Sequence, residues 1–266
     1  MFKTRLISGI ILVAAALVLI ITGREVLLAA ACVISLIGMY ELYRVYKIER
    51  TVAAFAGYLA AVLFYLDLYI HWIPDSMVFI IGLLIVLLAV YVLAYPKYHA
   101  SQITAVFFGV FYVAVMLSCI YQVRMMEQGA YIVWLIFLCS WGCDTCAYCV
   151  GVKRGKHKMS PVLSPKKSVE GAVGGLAGTF LLTALYAAVF REQMGITAAQ
   201  VLVLAAISTV GGVISMIGDL AASAIKRNYE IKDYGTLIPG HGGILDRFDS
   251  VIFTAPVIYY LARYLL

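Results

Sequence analysis

The stretch MVFIIGLLIVLLAVYVLAY, residues 77–95, runs for nineteen positions without a charged side chain. As a helix it would extend about 28 Å, close to the roughly 30 Å hydrocarbon thickness of a bilayer. Similar apolar runs stand on both sides of it, each bounded by charged residues or by Gly and Pro. Together they predict nine spans: about Leu6–Ile21, Val26–Tyr46, Val52–Ile73, Met77–Tyr95, Ile103–Val123, Tyr131–Val150, Gly171–Phe190, Ala198–Ala224 and Phe248–Leu266. No strand-period alternation rises above this helical signal. The expected fold is an all-α, polytopic membrane helix bundle, because a spanning helix satisfies its own backbone polar groups. Composition agrees: 64% of the 266 residues are apolar and 13% are charged, too few to cover the surface of a soluble domain.

Orientation follows from the lysines and arginines. With the N-terminus in the cytoplasm, the outer segments keep Arg24, Arg124, Arg191 and Arg263. The other sixteen of the twenty basic residues, from Lys3 and Arg5 to Arg247, fall inside. That bias predicts a cytoplasmic N-terminus, an outer C-terminus and an odd number of spans. The first run is too long for a cleaved signal and reads as an uncleaved span. No linker or repeat divides the chain, so residues 1–266 read as one integral membrane domain, with the chemistry in the C-terminal half, about 131–266. All six cysteines lie in apolar runs, which argues against a disulfide scaffold.

Ionisable residues inside spans are expensive and therefore informative. Asp144 follows an unbroken apolar stretch in the sixth run, Asp219 lies in the eighth, and Asp246 and Asp249 open the ninth. Asp246 and Asp249 share a helix face, as do Asp219, Ser223 and Lys226. Carboxylates converging in this way need a positive partner, and oxygen-only ligands suit a hard cation such as Mg²⁺. Two long basic loops lie on the predicted inner side. One, GVKRGKHKMSPVLSPKKSVE (151–170), brings Lys166 and Lys167. The other, IKRNYEIKDYGTLIPGHGGILDR (225–247), brings Lys226, Arg227, Lys232, His241 and Arg247 around Gly240, Gly242 and Gly243. A glycine-rich turn can aim backbone N–H groups at an anion. With basic side chains and metal-binding carboxylates it makes up a nucleoside triphosphate site, although no Walker sequence is present.

The segment SAIKRNYEIKDYGTLIPGHGGILDRFD (223–249) resembles the signature of the phosphatidate cytidylyltransferase (CDP-diacylglycerol synthase) family. A second stretch, DTCAYCVGVKRGKHKMSPVLSPKKSVEG (144–171), is similar to the family through Asp144, Gly151, Lys166, Lys167 and Glu170. It departs from the family at Cys146, Cys149, Ser168 and Val169, which argues against a cysteine metal site. This resemblance extends over the C-terminal half. It implies transfer of the cytidylyl group of CTP to phosphatidic acid, giving CDP-diacylglycerol and pyrophosphate, with Mg²⁺ at one or two cation sites. Asp219 and Asp246 are the expected metal ligands, with Asp144 and Asp249 completing the set. Catalytic work is expected of Asp144, Asp219, Asp246, Lys226 and His241. Substrate contacts are expected from Lys166, Lys167, Ser223, Arg227, Lys232, Gly242, Gly243 and Arg247. The implied partners are CTP, phosphatidic acid and the lipid bilayer, with no nucleic acid. A homodimer is compatible with such an enzyme but not demanded by any residue. The implied location is the inner membrane, with the site facing the cytoplasm. The alternative from another class is an ion-coupled transporter using the same aspartates. Against it stand the confinement of the acidic residues to one side and the absence of an inverted repeat.

Overall fold

The computed structural model describes residues 2–265, and the side chains of residues 7–264. Among these, nine helical rods follow one another: α1 (Phe2–Thr22), α2 (Arg24–Val45), α3 (Val52–Ile70), α4 (Ser76–Leu93), α5 (Ala100–Met125), α6 (Gly129–Arg154), α7 (Val169–Val189), α8 (Ala198–Asn228) and α9 (Leu245–Leu265). Seven of them, α2 to α8, are long and apolar enough to cross a membrane. The fold is an all-α polytopic membrane bundle. The basic side chains of Lys3 and Arg5, and Leu266 at the end of the ninth expected span, lie outside the described residues.

Several boundaries differ from the expected ones, three of them for a visible reason. Helix α3 stops at Ile70, because His71 adopts a left-handed conformation (φ 56°) and Asp67 accepts the N–H of Ile73 at 2.8 Å. Helix α8 runs on past Ala224 to Asn228, carrying Lys226 and Arg227 in its last turn, where cations favour the helix dipole. Helix α9 begins at Leu245 instead of Phe248, for a reason that belongs to the site. The loop between α6 and α7 also holds a small antiparallel hairpin, β1 (Lys158–Ser160) and β2 (Ser164–Ser168). Strands of three and five residues interrupted by prolines carry too little alternation to be read from sequence.

Membrane helices pack closely where small residues let backbones approach. Helices α6 and α7 do so along Gly171, Gly174, Gly175 and Gly178. A Cβ on Gly174 would overlap Val150, and one on Gly178 would overlap Cys146. Helices α8 and α9 meet at Gly218, where a Cβ would lie 2.6 Å from the Phe253 ring and 2.9 Å from the Asp249 carbonyl. The core centres on Tyr43, Met39, Leu42 and Ile252, all fully buried. Two widened turns interrupt the rods, at Val110–Val115 in α5 and Leu138–Gly142 in α6. Inserted side-chain hydroxyls accompany the first: Tyr43 donates to the Val106 carbonyl at 2.8 Å and Tyr65 to that of Ala114 at 3.2 Å.

The α6–α7 seam yields a prediction. Gly174→Val would force the two helices apart, at a cost of about 1–3 kcal/mol for overpacking. The thermal midpoint in detergent should fall, whereas Gly82→Val, at a position where a Cβ meets nothing within 4 Å, should leave it unchanged. Equal midpoints for the two variants would refute the close packing.

Candidate active site

Two clusters of ionisable residues flank the cytoplasm-proximal loops of the sequence reading, and the structure divides the expected site residues between them. The first is built by α6, α8, α9 and the hairpin. Asp144 and Asp219 line one cavity of about 470 Å³, together with Lys158, Lys166 and Lys167. Apart from Ser168, the rest of its wall is small or apolar, with Tyr148, Val152, Met159 and Met216 the largest side chains. Lys167, half-buried on β2, forms an ion pair with Asp219. Ser223, one turn along α8, donates to Asp219 at 3.5 Å. The close α8–α9 approach at Gly218 brings buried Asp249 within electrostatic range of Asp219 and Asp144. Ser250 joins the two aspartates, giving its hydroxyl to Asp144 at 3.3 Å and its backbone N–H to Asp249 at 2.8 Å. Three of the four carboxylates expected together therefore share one region.

Asp246 does not join them. It is 4% exposed, and both of its oxygens are engaged elsewhere. Oδ1 accepts from Lys226 Nζ at 2.8 Å, while Oδ2 accepts the backbone N–H groups of Tyr234 at 2.8 Å and Gly243 at 2.9 Å. The Lys226 ammonium also lies 5.2 Å from the centre of the Tyr234 ring. Asp246 thus organises the loop 229–244 from inside. Gly242 sits at φ +85°, where a Cβ would also stand 2.8 Å from Asp246 Oδ2.

The N–H groups just after the glycine-rich turn are likewise committed. Ile244 and Leu245 donate to the two oxygens of Glu41, at 3.0 and 2.8 Å. Glu41, buried at the end of α2, comes from 204 residues earlier in the chain than Leu245. Orphan N–H groups and the positive end of the dipole make a helix start a natural seat for carboxylates. Glu41 therefore fixes the start of α9 at Leu245. Of the PGHGG turn itself, Gly243 gives its N–H to Asp246 and His241 gives its own to the Ile238 carbonyl, while Glu41 takes the two N–H groups that follow the turn. Arg44, one turn after Glu41, donates to the Tyr234 carbonyl at 2.7 Å. The buried Tyr234 hydroxyl donates to the Ala222 carbonyl at 3.1 Å, and burial holds its pKa well above the ordinary phenol range.

The other expected residues are placed as follows. His241 Nδ1 lies 2.7 Å from the Ser8 hydroxyl, which donates to the Pro239 carbonyl at 3.1 Å, so the loop is also tied to α1. Arg247 is half-buried, and its Nε is buried without a hydrogen-bond partner among the described residues. Lys166, Arg227 and Lys232 are exposed. Of the cysteines, Cys139 and Cys143 are buried, Cys146 is half-buried and Cys149 is exposed, and all are free thiols. Glu170 accepts from the His157 backbone and ring, pinning the base of the hairpin. Among the described residues, no three His, Cys, Asp or Glu side chains stand close enough, as placed, to hold a metal ion by themselves.

Beside Arg44, Lys158 and Ser250, two further residues of the site escaped the sequence reading. One is Glu41, although a lone acid inside GMYELYR is the costly kind of residue that marks function. The other is Tyr112 on α5, buried with no partner for its hydroxyl among the described residues and within electrostatic range of Asp219 and Asp249. No sequence signal distinguishes it from the many interfacial tyrosines.

Glu41 and Tyr112 lie in the N-terminal half, and the comparisons with known proteins extend there too. Phosphatidate cytidylyltransferase of Thermotoga maritima is 32% identical over 266 residues, covering 99% of this chain and 97% of its own. The Staphylococcus aureus (strain COL) enzyme of the same name is 32% identical, covering 96% and 97%. That of Bacillus subtilis (strain 168) is 29% identical, covering 97% of each. The likeness is therefore not confined to the C-terminal half, as the two motifs alone had implied. The model of the cytidylyltransferase family matches residues 3–265, so the glutamate clasp on α2 and the aspartates of α6, α8 and α9 fall within one continuous match, and the chain belongs to that family.

Proposed function

We propose that this chain transfers the cytidylyl group of CTP to phosphatidic acid, giving CDP-diacylglycerol and pyrophosphate. The observation that carries the reading is the cavity of α6, α7, α8 and the hairpin. It joins lysines and aspartates to an apolar wall in one space, as one polar and one lipid substrate require. Tyr148 and Val152 on that wall are 72% and 68% exposed, which suits contact with acyl chains. The relatives named above support the same substrates.

The nucleophile is the phosphate of the lipid, a monoester already largely dianionic near pH 7, so no strong general base is needed. One of its oxygens forms a bond to the α-phosphorus of CTP. The bond from that phosphorus to the bridging oxygen breaks, and pyrophosphate leaves with the electron pair. The protein's work is to align two anions and neutralise their charge. Lys166 and Lys167 hold phosphates in the cavity, with Lys167 exchanging its contact to Asp219 for a phosphate oxygen. Lys226, Arg227 and Lys232 present positive charge from the loop side. Arg247, whose buried Nε has no hydrogen-bond partner among the described residues, is a further donor.

Mg²⁺ fits this donor set, because it is commonly held by one or two carboxylates together with substrate phosphates and water. Asp144 and Asp219, with Asp249 behind them, would hold it. Asp246 would not, since its oxygens are engaged. When bound, the ion neutralises charge on the reacting and leaving phosphates. We assign the site to the cytoplasmic side of the inner membrane on the distribution of the basic residues, where CTP arrives from water and phosphatidic acid from the bilayer.

Purified protein given phosphatidic acid, Mg²⁺ and each nucleoside triphosphate in turn should release pyrophosphate with a cytidine nucleotide, and only when the lipid is present. Folded protein that releases none with any nucleotide would sink the enzyme reading and favour a transporter.

A further inference from the structure

We propose that Glu41, at the cytoplasm-proximal end of α2, is a positioning residue for the cytidylyl transfer, acting through the glycine-rich loop. The inference rests on the proposed function and adds a residue to its machinery. Glu41 is 4% exposed, and among the described residues no lysine or arginine forms an ion pair with it. A buried carboxylate is held in such a place by what it accepts. It accepts the N–H groups of Ile244 and Leu245, one with each oxygen. Gly235 and Gly243 crowd it from both strands of the loop, and a Cβ at either would overlap the carboxylate. The loop is thus moulded around Glu41, which sits at its centre.

The consequence reaches Lys226 in two steps. Glu41 fixes the turn that presents Gly243 N–H to Asp246, and Arg44 fixes the Tyr234 carbonyl, so that the Tyr234 N–H also points at Asp246. Asp246, so oriented, holds the Lys226 ammonium at 2.8 Å. Helix α2 therefore sets the position of the loop-side positive charge without touching substrate. Shape and charge both matter here. A glutamine at position 41 would turn an NH₂ group toward a backbone N–H, so one of the two contacts must break.

The test is Glu41→Gln in the full-length protein. Amide hydrogen exchange in residues 234–245 should rise more than tenfold, while exchange in α6 and α7 stays as in the parent. The KM for CTP should rise about tenfold, and that for phosphatidic acid should stay within twofold. Loss of stability alone would raise exchange throughout and split the two KM values in neither direction. Should Glu41→Gln fail to fold, Arg44→Met frees the other end of the loop without burying a charge and should give the same split at smaller size. Local opening with unchanged kinetics would overturn the proposal, and so would a loop that stays protected. A parent protein inactive with CTP would instead refute the proposed function, and the exchange data would still judge the clasp.

Discussion

Asp219→Asn should lower the rate of pyrophosphate release by about 10²–10³-fold, the scale of removing one preorganised electrostatic group from a reacting centre. The thermal midpoint should stay the same or rise. The reasoning rests on the company Asp219 keeps. It is the ion-pair partner of Lys167, accepts from Ser223, and shares its surroundings with Asp144 and Asp249. Three carboxylates in one region repel one another, and taking the charge from one relieves that repulsion. Function and stability are therefore opposed at this position, as is common where a site is organised for charge that arrives with the substrate. The amide keeps the shape of the side chain, so the helices need not move. Side-by-side kinetics and melting curves of the parent and variant decide the matter. A large fall in midpoint would mean that Asp219 is a structural anchor and not part of the reacting centre.

Asp246→Asn should behave differently, losing both activity and stability. Lys226 and Asp246 are an almost fully buried pair, with their side chains 11% and 2% exposed. Removing one partner of such a pair leaves an uncompensated buried charge and costs about 3–5 kcal/mol. The amide also cannot accept from Lys226, Tyr234 and Gly243 together with its single remaining oxygen. The double variant Asp246→Asn with Lys226→Met should regain part of the stability and none of the activity, because the stranded charge is gone but the phosphate-side cation is too. A single variant that melts with the parent while losing activity would return Asp246 to the cation site, where the sequence pattern alone had placed it.

The contrast between these two aspartates marks the limit of what could be read in advance. The apolar runs located every helical rod, because stretches of about 20 predominantly apolar residues have few other uses. The convergence of Asp144, Asp219 and Asp249 was legible for a related reason, since each is an acid where an acid is costly. The division of labour was not legible. Whether Asp246 faces the cavity or the loop depends on Tyr234 and Gly243 donating to it, and those contacts exist only once α8, the loop and α9 have packed. The early start of α9 has the same origin, as its cap comes from α2 and no local N-cap pattern announces it. The hairpin was hidden by its brevity. Motif reading also drew attention to the C-terminal half, while Glu41, Arg44 and Tyr112 complete the site from helices that looked merely apolar.

The most direct test follows the phosphorus atoms. Purified protein in mixed micelles is given phosphatidic acid, Mg²⁺ and CTP labelled at either the α- or the γ-phosphate, and the lipid is extracted. The account predicts label in the lipid from α-labelled CTP only, with the γ-label recovered as pyrophosphate, and neither transfer with Asp219→Asn. Label in the lipid from the γ position would make the reaction a phosphoryl transfer, and no lipid label from either would contradict cytidylyl transfer at this site.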